Sequence, residues 1–268
     1  MPASRSPNQH ARPAARRRNF WPIVLIGVAA ALAVIVVALP ASAIAHFLPH
    51  SIHADDFSGS IWHGSAGKIS FDGRDAGALE WRLHPAALLG LAMGADLHWV
   101  KAGFVVDAAL EVDRHGFTAR GVKGSGPIQD LQDLGVAPGW RGTADVHFSE
   151  LKRDFAQPSA AVGNVPVSNI TAAQIADGAD LGGYELRLEE GAVGSDGTIT
   201  AHLVDTGGPL DLKTVIRFSP IERTALLSGT LMERAEASAS LRSQLDGLLQ
   251  LRGRDSQGRI PVDLEFRL

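Results

Sequence analysis

Few side chains in this sequence could do chemistry, and they are poorly grouped. His46, His50 and His53 lie close together, with Asp55 and Asp56 just behind them. Histidines four apart share a helix face, so His46 and His50 could in principle chelate zinc. Pro49 interrupts such a helix, however, and no ligand is spaced as in a zinc site, so the stretch reads as a polar linker. Gly124-Ser125-Gly126 and Gly64-Ser65-Ala66-Gly67 lack the spacing of a nucleophile elbow. Gly67-Lys68 is followed by Ile69 rather than Ser or Thr, and the glycines from Gly121 to Gly126 are in the wrong order for a dinucleotide fingerprint. No cysteine occurs, which removes thiol nucleophiles, disulfides, thiolate metal sites and lipoprotein acylation. Asp55-Asp56 and Glu189-Glu190 read as solvated charge, because neighbours on a strand point to opposite faces. The expectation is a protein without a catalytic, cofactor or metal site.

Any function must then come from the elements that carry these residues and from where they are held. Arg5, Arg12, Arg16, Arg17 and Arg18 precede an uncharged run from Asn19 to Ala45, centred on Ile23 to Leu39. Basic flanks stay in the cytoplasm, so residues 1–19 read as a cytoplasmic tail and 20–45 as a single membrane-spanning helix. The core of that run covers about 26 Å at 1.5 Å per residue, and Phe20, Trp21, Ile44 and Ala45 extend it across a hydrocarbon layer of about 30 Å. The competing reading is a signal peptide cleaved at Ala41-Ser42-Ala43. The apolar run is longer than the roughly 7 to 15 residues of a signal core, which favours the retained anchor. Residues 46–57 then read as a juxtamembrane linker and 58–268 as a periplasmic domain.

The chain has 25 basic and 29 acidic residues. With the five arginines of the tail set aside, 20 basic residues face all 29 acids, so the exported part carries about −9. That balance argues against nucleic acid and against electrostatic adhesion to anionic lipid. Period-two alternation dominates from residue 60 onward, the mark of strands with one buried face. Leu79, Trp81 and Leu83 alternate with Glu80 and Arg82; Val106, Ala108, Leu110 and Val112 alternate with Asp107, Ala109, Glu111 and Asp113. The same pattern recurs at Ala144, Val146 and Phe148, at Tyr184, Leu186 and Leu188, at Ile199, Ala201 and Leu203, at Leu210 to Phe218, and in a closing strand from Val262. Arg114-His115-Gly116 and Ser195-Asp196-Gly197 supply turns. Two stretches favour helix, His84 to Met93 and Glu233 to Leu249, while 155–180 reads as a long loop or a joint between sheet halves. The fold class expected is mainly β, a largely antiparallel sheet with one or two short helices. Trp62, Trp81, Trp99 and Trp140 read as core anchors or as a partner surface.

The order of two tryptophan blocks adds a family likeness. Ser58-Gly59-Ser60-Ile61-Trp62-His63-Gly64-Ser65-Ala66 is followed, after a hairpin-length interval, by Gly77-Ala78-Leu79-Glu80-Trp81-Arg82-Leu83-His84-Pro85. Further pieces are Gly124-Ser125-Gly126-Pro127-Ile128, Leu181-Gly182-Gly183-Tyr184 and Asp205-Thr206-Gly207-Gly208-Pro209-Leu210. Together they resemble the type II secretion system protein N family. The resemblance marks Gly59, Ile61, Trp62, Gly64, Leu79, Trp81, Leu83, Gly126, Pro127, Gly183, Tyr184, Gly207, Gly208, Pro209 and Leu210 as family-motif positions. It implies an accessory protein of the Gram-negative cell inner membrane, single-pass, with its N-terminus cytoplasmic and its C-terminal domain periplasmic. Its partners would be other type II secretion components, the single-span proteins of the inner-membrane platform or the outer-membrane secretin, during export of folded proteins. The alternative is a periplasmic lipid-handling protein with an open amphipathic trough, by analogy with the AsmA-like group. Leu210, Leu212, Ile216, Phe218, Val262, Leu264 and Phe266 would line such a trough.

Overall fold

Side chains that alternate in polarity along a strand force one face of a sheet toward apolar surroundings, and turns between consecutive strands force antiparallel pairing. The computed structural model of the chain, which describes residues 38–85, 92–154, 160–175, 178–219, 222, 224–253 and 255–267, shows both results. Thirteen strands form one antiparallel sheet in which spatial order follows chain order throughout. They are β1 (Ile52–Gly59), β2 (His63–Phe71), β3 (Arg74–His84), β4 (Met93–Lys101), β5 (Phe104–Asp113), β6 (Gly116–Pro127) and β7 (Trp140–Asp154). The meander continues through β8 (Ala160–Ala172), β9 (Gly183–Leu188), β10 (Ile199–Gly207), β11 (Leu210–Ser219), β12 (Thr224–Glu233) and β13 (Ile260–Arg267). A 3-10 segment, Ala41–Phe47, precedes β1, and a second, Ile128–Leu134, links β6 to β7. Among the described residues one α-helix, α1 (Ala239–Arg252), lies between β12 and β13. Residues Pro40–Leu268 make one compact unit.

Directly opposed residues on adjacent strands share a face, and the register carries one apolar face across the whole sheet. Trp81 opposes Leu97, Leu110 opposes Ala119, Val122 opposes Phe148 and Leu151 opposes Ala161. Val165 opposes Leu186, Ala201 opposes Ile216, and Leu227 stands between Ile216 and Leu264. The other face is polar, with His84 on Asp96 at 2.9 Å, His98 on Asp107 at 2.7 Å and Arg120 on Glu111 at 2.8 Å. Three clusters bury the apolar face. One, near the start, joins Ala41, Ala66 and Trp81; a middle one joins Ala161, Leu188, Ala192 and Ala201; the third, near the end, packs Leu241 and Leu245 of α1 on Ile170, Leu181 and Ile260.

Several expectations shift. The stretch read as a linker, 46–57, holds the end of the first 3-10 segment and most of β1. Asp56 adopts a left-handed φ of 57°, which breaks the alternation of faces while the register with β2 runs on unshifted, so Ala54 and Phe57, three apart, pack on the same cluster. The stretch read as a joint, 155–180, holds β8, hydrogen-bonded to both β7 and β9, and the sheet runs through it without a break. Small residues hide this strand from periodicity: a Cβ at Gly163 would stand 2.5 Å from the Phe148 ring, so the approach of β7 demands glycine. The helix expected from Glu233 begins at Ala239, because Glu233 ends β12 and Ser238 provides the cap, its Oγ accepting from the Leu241 N–H at 3.1 Å. In the other helical stretch, residues 86–91 lie outside the described residues, and Met93 opens β4. The tail and nearly all of the apolar run also lie outside them; among the described residues no helix is long and apolar enough to cross a membrane.

Candidate functional site

The sequence-marked residues fall into three places along the sheet. In the first, the turn between β1 and β2 folds against β3. Ser60 Oγ accepts from the N–H groups of Trp62 and His63 at 3.3 and 3.2 Å, closing the turn. The Ile61 carbonyl accepts from the Trp81 indole at 2.9 Å, and the Trp62 carbonyl accepts from the Leu83 N–H at 2.7 Å. Trp81, only 9 % exposed, meets the ring of Phe57 edge-on at 6.5 Å. Gly59 takes φ +80°, and a Cβ there would strike the His63 carbonyl. A Cβ at Gly64 would stand 2.6 Å from the Ser60 carbonyl and 2.7 Å from the Trp81 ring. Gly59, Ile61, Trp62, Gly64, Leu79, Trp81 and Leu83 are therefore brought together.

Gly126 and Pro127 are elsewhere, at the end of β6, where a Cβ on Gly126 would stand 2.5 Å from the Phe104 backbone. The 3-10 segment that follows is pinned by its acids: Asp130 accepts from the Gly103 N–H at 2.7 Å, and Asp133 from Lys101 Nζ at 3.1 Å. Lys101 is buried, and its ammonium also donates to the Asp75 carboxylate at 2.9 Å and the Asp75 carbonyl at 2.8 Å. Burial works against its charge, but the hydrogen bonds to Asp75 and Asp133 outweigh that and hold the ammonium above the ordinary lysine pKa. The hydrogen bond from Lys101 in turn holds the Asp75 carboxyl below the usual carboxylate range. Sequence reading missed this lysine, although its signal is present: it continues the apolar series Leu97, Trp99 with a charge.

The third place joins β9, β10 and β11. Tyr184 Oη donates to the Leu181 carbonyl at 3.0 Å; burial, reinforced by the Asp205 charge, pushes its pKa up to about 12. Gly208 takes φ +130°, and a Cβ there would stand 2.6 Å from the backbone of Gly182. Arg234 Nη2 lies 2.6 Å from Asp205 Oδ1 and Nη1 donates to the Gly208 carbonyl at 3.1 Å, while the Pro209 carbonyl accepts from the Arg234 N–H. Gly183, Gly207 and Leu210 belong to the same corner, where Leu210 packs against the cluster under α1. All three places are backbone-locking arrangements.

Among the described residues no group of three or more His, Asp or Glu could hold a metal ion, and His46, His50 and His53 do not converge on one. The distinctive concavity is instead a groove of about 340 Å³ on the apolar face of β1 to β5, with no polar atom exposed in its wall. Ile44 and Leu48, from and just after the first 3-10 segment, line it together with Trp81, Leu97, Leu110, Val112 and the exposed Met93. Met93 is 46 % exposed there. Sequence reasoning placed the trough at the other end, on the strands from Leu210 onward, part of which α1 covers through Leu210, Leu231 and Ile260.

No curated protein and no solved structure matches the chain. A family model described as type II secretion system (T2SS), protein N matches residues 51–263, from the strand ahead of the tryptophan turn into β13. That match spans most of the chain and both of its tryptophan blocks, and the protein belongs to the type II secretion system protein N family, a family of accessory secretion components.

Proposed function

We propose that this protein is a docking piece of the type II secretion system with the sheet in the periplasm, tethered to the inner membrane by residues 20–40 rather than 20–45, because Ala41–Phe47 folds onto the sheet as the first 3-10 segment. The observation that carries the docking reading is the open sheet: among the described residues β1 and β13 each have a strand neighbour on one side only. An edge of this kind accepts a strand from another chain, whose main-chain hydrogen bonds give affinity while alternate side chains give specificity. The two edges differ. β1 is blunted by the left-handed kink at Asp56 and by Asp55, and the chain before it bridges back at Pro40 to Ser60. β13 has no kink of this kind and presents Val262 and Leu264 beside Asp263 and Glu265, so it is the edge assigned to docking. A membrane tether supplies the rest, since confinement beside the other inner-membrane components raises the local concentration of the sheet without any new contact.

The partners proposed are the single-span proteins of the platform or the outer-membrane secretin. Cross-linking in cells, with the cross-linker placed on β13 of the full-length anchored protein, tests this. Recovery of one of those proteins supports the proposal, and recovery of neither removes it. Reporter fusions at the C-terminus test the orientation separately, and deletion of the gene followed by assay of hydrolases in the medium tests the role in secretion.

A further inference from the structure

The groove between the first 3-10 segment and β5 is unlike the rest of the apolar face. Under α1, Leu241, Leu245 and Ile260 are 5 % exposed or less, and Leu264 beyond it is 43 % exposed; at the groove Met93 is 46 % exposed and Phe117, paired with Val112, is 44 % exposed, and here the exposed apolar surface borders a concavity. Exposed apolar surface around a concavity marks a binding site. The wall chemistry then restricts the occupant. With no polar atom exposed, the groove offers nothing to an N–H or C=O, so an extended peptide lying in it would leave its backbone groups unsatisfied. A helix satisfies its own backbone, but as a cylinder about 10 Å across it can bring only one face into the groove. A slender hydrocarbon has neither difficulty.

Position gives the source of that hydrocarbon. The apolar core of the uncharged run, Ile23 to Leu39, stops just ahead of the first 3-10 segment, where Ala41 joins the cluster that includes Trp81 and Ile44 and Leu48 line this groove. We infer that the groove holds one acyl chain of a membrane phospholipid, taken up beside the point where the chain leaves the bilayer. The inference rests on the membrane tether proposed above only for the route by which lipid arrives. Each methylene seated in the groove raises affinity roughly fourfold, and the headgroup stays in water beyond the exposed Met93.

The test uses the full-length protein in vesicles of phosphatidylethanolamine and phosphatidylglycerol doped with a phosphatidylethanolamine whose acyl chain carries a diazirine. After photolysis, adducts are mapped by mass spectrometry. Adducts on Met93, Leu110 or Val112 are expected, together with adducts on residues 20–40. Met93→Glu, which places a charge at an already exposed lining position, and Leu110→Trp, which fills the space, should each lower groove labelling roughly tenfold, the loss of one or two methylenes' worth of affinity. Leu264→Glu, on the same face at the far end and 43 % exposed, should leave it unchanged. Labelling of 20–40 without the groove overturns the inference and leaves the tether standing. Labelling of the groove without 20–40 supports the inference and overturns the tether. Groove labelling that survives both variants, or a cross-link from the groove to a second copy, overturns the acyl-chain assignment.

Discussion

Replacing Lys101 with methionine should cost about 2 kcal/mol of stability and remove a pH dependence that the native protein shows at both extremes. The lysine is 5 % exposed, and its three ammonium hydrogens meet three acceptors, two on Asp75 and one on Asp133. Breaking a fully buried pair costs roughly 3–5 kcal/mol, and an exposed pair is worth about 0–1 kcal/mol. Here the cation is buried but the carboxylates are 54 % and 60 % exposed, so they regain water once the partner is gone and the loss falls between those limits. Methionine keeps the apolar stem in place, so little packing is lost with the charge. For a unit of this size about 2 kcal/mol lowers Tm by roughly 4–8 °C.

The pH arm separates electrostatics from packing. Asp75 titrates below its ordinary value, so its share of the stability is present above about pH 4 and is lost as pH falls through the lowered folded pKa. Lys101 titrates above its ordinary value, so its share is present below about pH 10 and is lost as pH rises through the raised folded pKa. The difference between native and Lys101→Met protein, read by urea denaturation, should be flat between those limits and shrink outside them. Hydrogen exchange should rise at Ile128–Leu134, the segment that Asp133 ties down. A variant as stable as the native protein, or one whose deficit is the same at every pH, would refute the reasoning.

Gly64→Ala should destabilise by about 1–3 kcal/mol in urea denaturation, because the new Cβ meets the Ser60 carbonyl at 2.6 Å and backbone cannot yield as a side-chain tip can. Leu241→Ala and Leu245→Ala should each cost about 2–4 kcal/mol and raise hydrogen exchange across α1 and Ile260, since both leucines sit in the cluster that holds the helix to the sheet. Tyr184 is the single tyrosine, so phenolate absorbance reports it alone: near pH 10, where an exposed tyrosine is half ionised, the folded protein should show almost none, its pKa being about 12. Tyr184→Phe should cost about 0.5–1.5 kcal/mol through the lost bond to the Leu181 carbonyl, measured by thermal melting.

What the sequence made legible follows from which forces act locally. Strands such as Phe104–Asp113 announce themselves because each apolar side chain faces the core and each polar one faces water, and the turn at Ser195-Asp196-Gly197 shows because Asp196 bonds forward to Thr198 while Gly197 takes φ +80°. β1 was hidden because the left-handed φ at Asp56 breaks its period, and β8 because close strand approach selects glycine and alanine, whose burial leaves little contrast. The tryptophan blocks mark residues that the structure brings together, but not the architecture that joins them: Ile61 and Trp62 contribute carbonyls, to Trp81 and Leu83, and a carbonyl has no signature in residue type. The groove was misplaced for a further reason. Periodicity marks the apolar face of every strand equally, and only the path of the covering segments decides which part stays open.

That uneven covering is the physical problem of a meander this long. Each strand pairs only with its sequence neighbours, so cohesion is nearly one-dimensional and the terminal strands, with one neighbour each, must be secured by other means. The two ends solve this differently. At the far end α1 seals β8 to β13 from one side with a capped helix and two buried leucines, giving a closed core. At the near end the seal is the indole bond to Ile61, the edge-on Phe57 contact and a seven-residue 3-10 segment too short to roof five strands. The glycines at 59 and 64 let backbone come close enough for that minimal lock, which holds β1 to β3 together and leaves the surface toward Leu110 and Val112 uncovered by the described residues. An end that is locked without being covered by the described residues keeps a hydrophobic opening on a stable frame.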